Sequence, residues 1–250
     1  MSVEIGQVEA IFRYPIKSMA GEPLETAQLG WHGVEGDRRL AFRRMDEARG
    51  FPWLIASKLP ELLLFSPQRR GVATGDLPTH VRTPENKELP VFGEELVAEV
   101  GRRHGSPVEM IHLRHGIFDD ASISVIASET VSEIARLTEL SADVRRFRPN
   151  LVVRLLRPVP FLEDEWVGGV LSFGDEDKAP AISVTMRDVR CPVVNFDPDS
   201  AKPAPKVMKA IVHANRNNAG VYGTVIRIGQ LATRQTIFFQ PSAAKPRSAP

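Results

Sequence analysis

Cysteine is almost absent from this sequence. A single residue, Cys191, among 250 excludes an internal disulfide, a four-cysteine iron–sulfur cluster and the common structural zinc sites, which all need several thiolates from one chain. A reduced, cytoplasmic setting is the expectation. An excess of one charge is lacking too: 32 Lys and Arg stand against 31 Asp and Glu. No global basic field argues for nucleic acid, and any anion site must be local. Apolar runs stay well short of the roughly 18 residues that a membrane span needs. The opening Met1-Ser2-Val3-Glu4 has neither the basic nor the apolar part of a secretory leader, so the expectation is a protein neither embedded nor exported. Walker loops, spaced-glycine dinucleotide fingerprints, HExxH pairs and nucleophile elbows are missing. The six histidines show no ligand spacing, which speaks against a histidine-built metal site.

What is present points to a folded, mostly β protein. Twenty prolines and 18 glycines punctuate short runs rich in Val, Ile, Leu and Phe, the pattern of many short strands. Before residue 115 the strands are read at Val8 to Arg13, Leu24 to Leu29, Arg39 to Met45, Leu62 to Phe65, Val81 to Thr83 and Val108 to Leu113. A short helix over Glu94 to His104 is predicted from the spacing of Leu96, Val97 and Val100. After it, strands are expected at Ile123 to Ala127, Leu151 to Leu155, Val170 to Phe173, Ala181 to Met186, Val221 to Ile228 and Thr236 to Phe239. A helix follows Ala127, with Ser128 as its cap and Thr130 and Glu133 as a second capping box. Another follows Pro205 and carries Val207, Ile211 and Val212 inward. The organisation expected is an N-terminal β-rich domain over 1–115, a second domain over 116–240 and a disordered tail over 241–250.

A few segments carry chemistry. Arg145-Arg146-Phe147-Arg148-Pro149-Asn150 sets three guanidinium groups before a strand; such forks can clamp a phosphate or form a solvated basic turn. Strand alternation would point Phe147 into the core and put Arg146 and Arg148 on the other face. In Arg187-Asp188-Val189-Arg190-Cys191-Pro192, two arginines sit close enough to stabilise a thiolate, and Pro192 ends the strand ladder beside the sulfur. That thiolate would be a nucleophile and a soft metal ligand, although a lone cysteine can equally be a small buried hydrophobe. Tyr14-Pro15-Ile16-Lys17-Ser18 and Gly36-Asp37-Arg38-Arg39 place cations just past predicted strands. His115 with Asp119 and Asp120 reads as a capped turn or as an acid/base group. The amide-rich run Asn215 to Asn218 reads as turn capping.

Taken in order, these pieces resemble the MOSC family, named for the C-terminal domain of molybdenum cofactor sulfurases, with its companion N-terminal β-barrel domain. The resemblance rests on Tyr14-Pro15-Ile16-Lys17-Ser18, Leu29-Gly30, Gly36-Asp37-Arg38, Arg146-Phe147-Arg148-Pro149-Asn150, Trp166-Val167-Gly168, Phe173-Gly174, Arg190-Cys191-Pro192, Asp197-Pro198-Asp199 and Gly220-Val221-Tyr222-Gly223. It implies a β-barrel-like core around a cleft for the molybdenum cofactor, a pyranopterin whose dithiolene binds the metal and whose tail carries a phosphate. On this resemblance Cys191 would ligate molybdenum, and Lys17, Ser18, Arg38, Ser122, Arg148, Asn150 and Arg190 would hold the cofactor. The activity implied is reduction of N-hydroxylated compounds, with electrons from an external flavin or iron–sulfur reductase, since a single cysteine leaves no cluster of its own. Two other readings stay open: a persulfide carrier through Cys191, and a non-catalytic cofactor-binding module. Ser200-Ala201-Lys202-Pro203 replace the small residue and glycine usual after Asp199, which implies an altered rim.

Overall fold

The structure, a computed structural model, describes residues 2–47, 50–70 and 76–242. Of the tail expected to be disordered, residues 243–250 lie outside the described residues. The first part of the chain forms β1 (Val3–Arg13), β2 (Glu22–Leu24), β3 (Thr26–Gly30), β4 (Gly33–Val34), β5 (Leu40–Arg44), β6 (Ser66–Gln68), β7 (His80–Arg82), β8 (Glu88–Pro90), α1 (Glu94–His104) and β9 (Val108–His112). There follow β10 (Ile123–Ala127), α2 (Ser128–Thr138), β11 (Leu151–Leu155), β12 (Val170–Phe173), β13 (Ala181–Val189), α3 (Lys206–Asn215), β14 (Asn218–Arg227), β15 (Gly229–Ala232) and β16 (Thr236–Gln240).

Seven strands close a barrel in the order β11, β10, β14, β13, β12, β16, β1 and back to β11, with β2 attached outside on β1. The fold is mostly β with three α-helices among the described residues. The β10–β11 pair is parallel, and α2 makes the crossover that such a pair requires. All five residues of β10 are buried, because the barrel interior covers one face and helices cover the other; its sequence is therefore a continuous apolar run. β1 alternates through Gly6 and Val8, and an irregularity between Val8 and Ala10 lets Ile11 turn inward as well. The barrel core gathers Val8, Ile11 and Leu29 with Val125, Val153, Leu171, Val184, Val221 and Ile237, so staves from both sides of residue 115 share one interior. On its outside, Val131 and Ile134 of α2 pack with Val207 and Ile211 of α3 and with Phe147.

A second core lies between β5, β9, α1 and the β6–β7–β8 sheet, and contains Phe42, Leu54, Leu62, Phe65, Val81, Leu89 and Leu96. A small seam of Ala56, Leu63 and Val193, with Phe196 beside it, joins this unit to the segment after β13. The strand expected at Leu62 to Phe65 is a 3-10 turn over Pro60–Leu64. Adjacent leucines there serve different cores, Leu62 the second core and Leu63 the seam, which a turn allows and which mimics an apolar strand in sequence. Ser128 does not cap α2: its hydroxyl bonds Glu129 and the Val153 carbonyl. Thr130 is drawn instead to Glu163. In α3 Val207 and Ile211 face inward, but Val212 is exposed, since it sits about 100° round the helix from Ile211.

Candidate functional site

The predicted site residues lie where the end of β1, the β4–β5 connection, β10, β13 and β14 converge. Backbone bonds set the loop after β1: Lys17 N–H donates to the Leu40 carbonyl at 2.7 Å and Met19 N–H to that of Ile16 at 3.1 Å. Ser18, Arg38 and Arg148 all hold left-handed backbone, at φ 69°, 45° and 53°. Only a few per cent of non-glycine residues do so, and such strain concentrates at functional sites. Three of the eight predicted residues share it.

Arg38, Asn150, Lys17 and Arg190 belong to a largely buried polar cluster. Asp37, fully buried, accepts from the Tyr14 N–H at 2.6 Å and pairs with Arg38 at 2.5 Å. Arg38 engages all three of its nitrogens: Nε pairs with Asp119 at 2.6 Å, Nη2 donates to the Arg148 carbonyl at 2.7 Å, and Nη1 also reaches Asn150 Oδ1 at 3.3 Å. Asn150 is a structural tie as well, accepting from Ser124 N–H and donating to the Phe12 carbonyl. Asp119 accepts from the Tyr222 hydroxyl at 3.2 Å. Lys17 Nζ donates to the Phe118 carbonyl at 2.6 Å. Asp188 accepts from Ser124 Oγ at 3.1 Å and pairs with Arg190, whose other terminal nitrogen donates to the Phe147 carbonyl.

The cluster is therefore not electropositive, as the basic motifs suggest, but balanced: Lys17, Arg38 and Arg190 face Asp37, Asp119 and Asp188. Buried charges persist only when paired. Burial would lower the Arg38 pKa, but Asp37 and Asp119 override it and hold the value above the usual arginine range. Burial likewise pushes Asp119 up, yet Arg38 and Lys17 bring it below the ordinary carboxylate value. For Asp188 burial wins over Arg190 and lifts the carboxyl to about 6. Burial, with Asp188 and Asp119 nearby, raises the Tyr222 phenol. Lys17 is lowered by burial, opposed by Asp119.

Cys191 is exposed, directly after Arg190 and before the Pro192–Asn195 turn. Asn217 ties this junction down, accepting from Arg190 N–H and donating to the Arg190 carbonyl. Ser122 is half-buried just before β10, and its carbonyl faces Gly33 so closely that a Cβ there would collide with it. The Ser18 hydroxyl is turned away from the cluster and accepts from Ala56 N–H at 3.1 Å. Arg148 joins the cluster through its carbonyl alone; its guanidinium lines a different cavity with Tyr14. Phe147 is buried as expected, but Arg146 is buried beside it, because Val144–Arg146 is a 3-10 turn and not a strand. The sequence assigned no role to Asp37, Asp188 or Tyr222, and it left Asp119 between a capped turn and an acid/base group. The signal available was their adjacency to Arg38, Arg190 and the Gly220–Gly223 motif.

The MOSC domain family matches residues 100–237, and the MOSC N-terminal beta barrel domain matches residues 5–113. The chain belongs to the MOSC family. Membership supports a molybdenum cofactor-binding domain. Curated proteins give no match. Among solved structures, the YuaD protein from Bacillus subtilis is similar at 16% identity, covering 96% of this chain and 97% of that one with a TM-score of 0.51, a likeness of fold. YiiM from Escherichia coli aligns at 17% identity over 52% of this chain and 60% of that chain, with a TM-score of 0.37.

The residues around Cys191 suit the MOSC cofactor. Arg190 Nε and Asn217 Oδ1 are buried without hydrogen-bond partners, a donor on the residue before the exposed Cys191 and an acceptor on the side chain tied to that residue's carbonyl. Orphaned buried polar atoms are rare and mark where a hydrogen-bonding group belongs. A pterin edge offers both complements. No three His, Cys, Asp or Glu among the described residues gather as a metal site; one thiolate is the set expected when the remaining ligands come from the cofactor itself.

Proposed function

We propose that the protein is a molybdenum-cofactor oxidoreductase that reduces N-hydroxylated compounds, taking its electrons from a separate flavin or iron–sulfur reductase, in the cytoplasm. The single observation that carries this reading is the exposed Cys191 sulfur beside the orphaned donor and acceptor of Arg190 and Asn217. In this reading Cys191 is the protein's ligand to molybdenum, and Arg190, Lys17 and Ser122 bear the atoms nearest the cofactor. Arg38, Asn150, Asp37 and Asp188 hold those residues in place. The cofactor, when bound, supplies removal of the substrate oxygen coupled to electron transfer.

The chain's own contribution is electrostatic. The Tyr222 hydroxyl, kept protonated by its buried surroundings, donates to Asp119 and fixes that carboxylate against Arg38. The two protons that reduction of an N–OH group to an amine and water consumes come from solvent. Lys17 adds a partly exposed ammonium with donors to spare beyond its bond to Phe118. The paired charges need no rearrangement as charge develops, the preorganisation on which such sites depend.

The test is expression in a host that makes the cofactor. Purified protein is expected to hold molybdenum and pterin in near-equal amounts and to reduce a benzamidoxime with an artificial electron donor, whereas Cys191→Ser loses that reduction. Folded protein free of both components refutes the reading. The exposure of Cys191 also favours a second reading, a persulfide carrier, since an outside sulfur donor can reach the thiolate. Added sulfur on Cys191 in metal-free protein, seen by mass spectrometry, would establish it.

A further inference from the structure

Charge is segregated along the chain. From Ser200 onward there is neither Asp nor Glu, so all 31 acidic residues precede it. Helix α3 lies in this stretch. Along it and its cap, Lys206, Lys209, His213 and Arg216 recur at intervals of three, four and three residues, which places them on one face. All four are exposed, whereas Val207 and Ile211 on the opposite side are buried in the core shared with α2. None of Lys206, Lys209 and Arg216 pairs with a carboxylate among the described residues. Asp197 and Asp199 before the helix are committed to Arg146 and Arg145, and Glu133 of the adjoining α2 to Arg136.

That face ends beside Cys191. Arg216 caps α3, and the next residue, Asn217, accepts from Arg190 N–H at 2.9 Å and donates to the Arg190 carbonyl at 3.0 Å. Arg190 directly precedes the exposed Cys191. Exposed valines lie in the same neighbourhood: Val212 at the edge of the helix face, and Val189, which pairs across the sheet with Asn218. Cations without partners around exposed apolar side chains suit a protein that docks briefly, because charge steers the encounter while a small contact keeps it short. We propose that the outer face of α3 docks the electron-donor protein, and that this donor carries an acidic surface around its flavin or iron–sulfur group. The inference rests on the oxidoreductase reading and adds to it the surface and the charge of the partner. In each turnover two electrons leave the donor's reduced group, which is thereby oxidised, and the N–OH group takes them with two protons from solvent to become an amine and water.

The experiment titrates full-length protein, prepared with and without cofactor, with an acidic flavodoxin and an acidic two-iron ferredoxin, and for comparison with phosphatidylserine vesicles and duplex DNA. Calorimetry at low and high salt reads the binding. Saturable binding of at least one carrier, weakening as salt rises, is expected in both preparations. The triple variant Lys206→Glu, Lys209→Glu, Arg216→Glu should lose at least about tenfold in carrier affinity and in carrier-driven benzamidoxime reduction. Its molybdenum content and its reduction with the artificial donor should stay at the wild-type level. The double variant Lys87→Glu, Lys178→Glu, exposed in the β7–β8 and β12–β13 turns, should bind the carrier as wild type does. Absence of carrier binding, binding of vesicles or DNA alone, undiminished carrier affinity in the triple variant, or equal weakening in the double variant overturns the proposal, the last because bulk charge would then suffice. Wild type without molybdenum and artificial-donor activity refutes the oxidoreductase reading, whereas carrier binding through α3 in that same protein upholds the docking surface. Should the triple variant not fold, Lys209→Glu alone decides, with an expected loss of about threefold.

Discussion

Glu163 is fully buried and accepts from Thr130 Oγ1 at 2.8 Å and from Ala127 N–H at 3.3 Å. Burial outweighs those bonds and raises its carboxyl to about 7. The folded chain therefore keeps this proton up to about pH 7, whereas the unfolded chain releases it near the ordinary glutamate value of 4.5. Between those values the native state binds more protons, so stability falls as pH rises, by up to about 3 kcal/mol from this group. Denaturant unfolding of Glu163→Gln should show the gain over wild type growing between pH 5 and pH 8; an equal difference at both pH values would contradict the account. Arg38→Leu acts in the opposite direction, because it strands Asp37 and Asp119 without their counter-charge. A loss of about 3–5 kcal/mol in the same assay is expected. Residues with a motif, such as Cys191, Lys17 and Arg38, were legible in the sequence. Asp119 and Tyr222 meet across 103 residues, a distance at which local pattern carries no information.

Elements with a sustained apolar run or period could be read directly. β10, β11 and β12 and helix α1 have the bounds that their composition and spacing suggest. Those whose local pattern mimics another state could not: the Pro60–Leu64 turn is apolar like a strand, and β14 begins at Asn218, inside a run whose amides look like a turn. There Asn218 turns its side chain back onto the Asn215 and Arg216 carbonyls while its backbone enters the sheet. The β3–β4 turn is decided by Gly33, at φ 103° and against the Ser122 carbonyl. Gly33→Ala combines left-handed strain with a backbone collision and should cost at least about 2 kcal/mol. Because that turn abuts Ser122, reduced molybdenum retention should accompany the loss, measurable as metal content of the folded fraction.

At the scale of the molecule, a small apolar seam of Ala56, Leu63 and Val193 is one of the contacts between barrel and second core. Val193→Asp places a charge there without a partner, and amide exchange of β6, β7 and β8 is expected to accelerate while β10 and β14 keep their protection. Uniform acceleration everywhere would mean that the two units unfold as one. The β-rich class was plain from the proline and glycine punctuation, but the sharing of β1 was not, since no residue of Val3–Arg13 advertises partners at the far end of the chain.

That sharing governs how the protein is born. Val3 to Gln7 pair with Thr236 to Phe239, so β1 waits with that edge open until β16 has been synthesised. Through translation the nascent polypeptide carries an unmet β-edge, the kind of surface that invites wrong pairing. Ribosome-associated chaperones thus have longest to act on this N-terminal ribbon, and premature termination before Thr236 leaves a cylinder that cannot shut.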